Sequence, residues 1–232
     1  MIVLKENKRI DSKLTNKVIH YLSYYILGPD IYSKIPHAAK IELETAELDV
    51  LEKKEYSNAR NVFSYLKALE IIINDLVIGT IKRSKYSDNF FVKTDLNPPK
   101  IFIKNTSNTL TNLSQWDKGF SIPQILFLVR KCMEEKYTPF LDVFSEKVVF
   151  LKYILNEFND LIKKNMLIEI RGIVSHGNTG EILPDDVDII RRLIFGIGCD
   201  GVINKLYGYY YKDEVKVKGK YKRPVVNRKK AS

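Results

Sequence analysis

Residues 58–81, "NARNVFSYLKALEIIINDLVIGTI", place Val62, Leu66, Leu69, Ile73 and Leu76 at steps of four, three, four and three. That is the period of one α-helix face, so the stretch can bury its apolar side chains only as a helix. Ala59, Phe63 and Ile72 back the stripe. The spacing returns over 138–170, where Phe140, Phe144, Val148, Leu151, Leu155, Phe158 and Ile162 form a second stripe behind a Thr138–Pro139 start signal. "LPDDVDIIRRLIFGIG" (183–198) predicts a third helix. Pro184 suits its first turn, and Asp185 and Asp186 suit the positive end of its dipole. Shorter helical patterns lie at 13–27, 37–53 and 121–136. The expected fold is all-α: one helical bundle over residues 1–207.

The pattern fails between about 84 and 120, a stretch rich in Asn, Ser, Thr and Pro. It reads as a long insertion between helices, partly ordered by Phe90, Phe91, Phe102 and Trp116. "KIFIK" (100–104) and the tail "EVKVKGKYKRPVV" (214–226) alternate as short strands or extended segments do. Lys and Arg exceed Asp and Glu by 38 to 28, a formal charge of +10, which favours an anionic partner such as nucleic acid. Cys132 and Cys199 lack ligand spacing, and neither a phosphate loop nor an acidic cluster is present, so no metal and no cofactor is expected. "MIVLKENKRIDSK" is charged from residue 5, and no apolar run approaches the ~20 residues a bilayer requires. The expectation is a cytoplasmic chain that does not engage a membrane.

One short stretch does not follow from packing alone. In "EIRGIVSHGNTGEI" (169–182) an arginine and a histidine stand five residues apart before a glycine-rich turn. On an ideal helix Arg171 and His176 would project roughly 140° apart, so they converge only if the helix tightens, bends or ends between them. Gly172 weakens the helix there, and Gly177 and Gly180 supply tight-turn conformations. Chemically the two are complementary. An imidazole takes and gives a proton near neutral pH, and a guanidinium offers planar paired donors to phosphate oxygens. That is a minimal kit for cleaving RNA with its own 2′-hydroxyl as nucleophile. A two-fold homodimer would supply a second histidine as the acid.

"IRGIVSHGN" resembles the arginine–four residues–histidine signature of the HEPN superfamily, and the region "KIPHAAKIELETAELDVLEKKEYSNARNVFSYLKALEIIINDLV" is similar to the helix pair that precedes it. The similarity covers about 35–82 and 138–207. It implies an all-helical, metal-independent endoribonuclease of toxin or antiviral defence systems, with Arg171 and His176 as its catalytic pair. It also implies RNA as substrate, a homodimer, and a neutralising antitoxin or a defence-complex partner. Active members often carry a polar residue after the arginine and a tyrosine two after the histidine. Here those positions hold Gly172 and Asn178. The alternative is therefore a non-catalytic module of the same shape that binds RNA, a nucleotide or a protein.

Asn178, Ser175 and Glu169 are candidates for binding ribose or orienting the histidine; as turn and helix-surface residues they need no such role. Glu70, after the stripe at Leu69, either faces the arginine–histidine motif from the first long helix or, the preferred reading, is a solvent-facing acid; His20, in "VIHYLSYY", reads as a half-buried histidine. The tail from 208 onward sets Lys218, Lys220, Lys222 and Arg223 among tyrosines. Basic groups release counterions from a phosphate backbone, and Tyr207, Tyr209, Tyr210, Tyr211 and Tyr221 could stack on unpaired bases. A solubilising end is the other reading.

Overall fold

The computed structural model describes residues 12–52, 58–96, 99–103, 110–175, 182–196 and 200–211. Helix α1 (Ser12–His20) runs into a π-helical turn, Tyr21–Ile26, and is followed by α2 (Pro29–Lys34) and α3 (His37–Leu51). Helix α4 (Asn58–Asn74) continues through a π turn, Asp75–Gly79, into α5 (Thr80–Arg83). Beyond the insertion come α6 (Ile122–Glu134), α7 (Thr138–Val143), α8 (Val148–Tyr153), a third π turn (Ile154–Phe158) and α9 (Asn159–Lys164). The last helices are α10 (Leu167–Ser175), α11 (Pro184–Phe195) and α12 (Val202–Tyr210). No helix among the described residues is long and apolar enough to cross a membrane.

Helix α4 is the hub. It packs against α3, α6, α10, α11 and α12, so it is covered nearly all round rather than along one stripe. The expected stripe is buried, Phe63 only in part. So are Asn61, Ser64, Tyr65 and Glu70, which lie off it. Buried polar groups need partners. Tyr65 donates to the Glu47 carboxylate of α3 at 2.6 Å, and Arg191 of α11 closes on the same carboxylate through Nε at 2.7 Å and Nη2 at 2.8 Å. Burial, and then the neighbouring carboxylate, push the Tyr65 hydroxyl well above the usual tyrosine range.

Four expectations are refined or corrected. First, the expected helical character holds, with a small sheet added by the insertion. The insertion folds into a three-stranded antiparallel sheet ordered β2 (Lys100–Phe102), β1 (Phe91–Lys93), β3 (Leu110–Asn112), with Phe91 opposite Phe102 and Asn112. Its inward residues are Phe90, Val92 and Ile101, while Phe91, Phe102 and Trp116 are half-buried.

Second, the 138–170 stretch is not one helix. It breaks after Val143 and again at Asn165–Met166, where Met166 takes a φ of +50°. Phe140, Phe144, Leu151, Phe158 and Ile162 stay buried, but the first break turns Val148 outward. Third, the tyrosines of α12 belong to the core, while Tyr221 lies outside the described residues. Tyr207 and Tyr210 are buried, and Tyr209 stacks on Tyr153 at 4.5 Å. Helix α12 runs on to Tyr210. Fourth, His20 is exposed and lies against the ring of Tyr24.

Helices α11 and α12 meet at a tight crossing. A Cβ on Gly201 would fall 2.1 Å from the backbone carbon of Phe195 and 2.4 Å from the Ile194 oxygen, whereas one on Gly208 meets nothing within 4 Å. Gly201→Ala is therefore expected to lower the urea unfolding free energy by about 2–3 kcal/mol through overpacking. Gly208→Ala, in an exposed helix interior, should raise it by about 0.5–1 kcal/mol. Equal effects at the two positions would contradict the close crossing.

Candidate functional site

Helix α10 exists because the chain turns at Met166 and restarts. Asn165 closes α9 through its side-chain amide on the Leu161 carbonyl at 2.8 Å, and the Ile170 amide bonds back to the Met166 carbonyl at 2.9 Å. From there Leu167, Ile170, Arg171 and Val174 fall at i, i+3, i+4 and i+7, one helical face. Leu167 and Val174 are buried against the core, with Ile170 packed beside them. Arg171 is carried inward with this apolar face, toward α4.

There it meets Glu70. The guanidinium Nη2 lies 3.2 Å from Oε1 and 2.9 Å from Oε2 of a carboxylate only 6% exposed. Lys67 Nζ reaches Oε1 from the other side at 3.1 Å. Two cations thus share one buried acid, leaving a formal surplus of one positive charge. Arg171 keeps 35% of its side chain exposed, and its Nε finds no hydrogen-bond partner among the described residues. The solvent-facing reading of Glu70 is overturned, because α4 has almost no solvent face.

A cavity of about 240 Å³ opens beside this pair. Leu66, Ile122, Ile162 and Leu167 make its apolar walls; Glu70, Ser121 and Arg171 are its polar groups. That is below the ~300–1,000 Å³ of drug-sized ligand pockets. Ser121 is fixed as the N-cap of α6: its backbone amide donates to Gln124 Oε1 at 2.7 Å. The preceding residue is held by Asn74, whose side chain accepts from the Phe120 amide at 2.8 Å and donates to the Phe120 carbonyl at 2.5 Å. The same amide group also donates to the Glu70 carbonyl at 2.8 Å, so one asparagine ties the cavity rim to the helix that carries the acid.

Gly172 lies inside α10 and does not interrupt it; a Cβ there would meet nothing within 4 Å. Glu169 is on the exposed side of the same helix. Ser175 is its last residue, and its side chain lies outside the described set. His176, Asn178, Gly177, Gly180, Cys199 and the tail residues Lys218, Lys220, Lys222 and Arg223 also lie outside the described residues. The other thiol, Cys132, is buried, and burial pushes its pKa up to about 12. Among the described residues no three His, Cys, Asp or Glu side chains gather as metal ligands would. Sequence reasoning undervalued Glu70 and did not single out Lys67 or Asn74. The signal for all three was present: polar residues at i, i+3 and i+7 on a helix too apolar to face water.

Asn74→Ala removes three hydrogen bonds and leaves the Phe120 amide and carbonyl unsatisfied. It is expected to cost about 1–3 kcal/mol and to speed hydrogen exchange at Phe120 ahead of the rest of α6. Unchanged exchange there would show that the rim is held by something else. Comparison with protein-family models, with curated proteins and with solved structures finds no match to this chain.

Proposed function

We propose that this protein is a metal-independent endoribonuclease of HEPN type, working as a homodimer in toxin or antiviral defence. The observation that supports it best is Arg171, turned inward at a cavity mouth and steered by a buried carboxylate five residues before His176. In this reading Arg171 binds the scissile phosphate and stabilises the charge that builds on it as the 2′-hydroxyl attacks. His176 removes the hydroxyl proton, and the histidine of a second copy protonates the leaving 5′-oxygen. Glu70 fixes the direction of the guanidinium, and Lys67 offsets the repulsion between that acid and the phosphate. The products are a 2′,3′-cyclic phosphate and a 5′-hydroxyl. A neutralising antitoxin or a defence-complex partner would hold the activity in check.

A second reading has its own support. The Arg171 charge is already paired with Glu70, and Gly172 leaves bare the position that carries a polar side chain in many active HEPN members. Both features suit a non-catalytic module that binds RNA, a nucleotide or a protein. Incubation of the full chain with mixed RNA in EDTA separates the two. Cleavage to cyclic-phosphate ends, lowered about 100-fold or more in both Arg171→Ala and His176→Ala, is expected of the enzyme. Tight binding with no cleavage by the parent chain would reject the nuclease and leave the module.

A further inference from the structure

We infer that the π-helical turn after α1 presents a stacking platform for the unpaired bases of a single-stranded nucleic acid, built from His20, Tyr24 and Tyr25. The inference does not rest on the nuclease reading.

Three aromatic side chains stand out of the surface at this turn: Tyr24 is 58% exposed, Tyr25 64% and Tyr21 37%. Their rings are already organised. His20 lies 4.6 Å from Tyr24 and 5.7 Å from Tyr25, and Tyr21 stacks with Tyr25 at 6.4 Å. The grouping is a product of the backbone. In an α-helix positions five apart project roughly 140° from one another, so His20 and Tyr25 would diverge. Here the Leu27 amide bonds to the Leu22 carbonyl at 2.9 Å, the i→i+5 pattern that widens the turn and brings such positions together.

The platform is anchored from below. Val18, Leu22 and Leu27 on the opposite side are buried in the core. Its apolar face is thus already used, so the segment cannot lie as an amphipathic helix in a bilayer surface.

Charge selects the partner. Residues 12–27 contain no acid, and Lys13 and Lys17 precede Tyr21 and Tyr25 at sequence steps of four. Both lysines are exposed, on a chain of formal charge +10. A second copy docked face to face would bring these cations against their own images, which specific interfaces avoid. A nucleic-acid strand satisfies both halves: phosphates for the lysines, base faces for the rings.

The test uses the full chain, fluorescence anisotropy, a short oligo(dT), and an abasic deoxyribose-phosphate strand of equal length and charge. Neither strand has a 2′-hydroxyl, so failure here leaves the nuclease reading untouched. Tyr24→Ala with Tyr25→Ala is expected to weaken oligo(dT) binding about tenfold or more, while Tyr24→Phe with Tyr25→Phe keeps it. The abasic strand should bind weakly and ignore both changes; helical circular dichroism checks that each variant folds. Oligo(dT) affinity unchanged by the alanine pair overturns the platform, as does abasic binding as tight as oligo(dT). Dissociation of a dimer by the alanine pair at constant oligo(dT) affinity overturns it too, by making the surface a contact between copies.

Discussion

A carboxylate taken out of water must be met by a cation; on the central helix pair Arg60 meets Asp49 within the pair, and two further buried acids are met by arginines of late helices. Glu47 on α3 is closed by Arg191 from α11, and Glu70 on α4 by Arg171 from α10, across sequence separations of 144 and 101 residues. Each pair keys a late helix onto the early hairpin. Apolar packing alone would let α10 and α11 slide or rotate against α4; a charge paired at a fixed distance does not. Removing one partner of such a pair leaves the other buried and uncompensated, which costs about 3–5 kcal/mol when both are fully desolvated.

The two pairs differ in a way that matters for chemistry. The Glu47 carboxylate is nearly filled: two arginine nitrogens and the Tyr65 hydroxyl take three of its roughly four acceptor sites. The Glu70 pair is open on one side, with Arg171 a third exposed and a cavity alongside. A closed network fixes architecture, whereas an open one can direct a guanidinium at an incoming anion without letting it wander. That contrast is why the candidate site is placed at Arg171 and not at the better-bonded Arg191.

Much of the fold was legible in the chain. The steps of three and four in 58–81 mark α4, and the Pro184–Asp185–Asp186 start marks α11. What was not legible arose from long-range context. A stripe argument assumes one buried face, so on a helix wrapped by five others it misassigns residues off the stripe such as Asn61, Ser64 and Glu70. Residues 138–170 read as a single amphipathic segment because Phe140, Phe144, Leu151, Phe158 and Ile162 are all core. Periodicity cannot report the φ of +50° at Met166 that splits it. The tyrosines of α12 looked like a basic tail because lysines follow them in sequence; their burial depends on α8, which packs on α12. Arg171 was visible by residue type and spacing, whereas its partner 101 residues earlier was visible only as a polar residue on an apolar helix and was undervalued.

The claim under all of this is that Glu70 is buried in order to hold Arg171. A double-mutant cycle of Glu70→Gln and Arg171→Met, read as urea unfolding free energies, tests it most directly. Coupling of about 1–2 kcal/mol is expected, short of a fully buried pair because the guanidinium reaches solvent. Single-mutant effects that add to within about 0.3 kcal/mol would contradict it and leave Arg171 an ordinary surface cation.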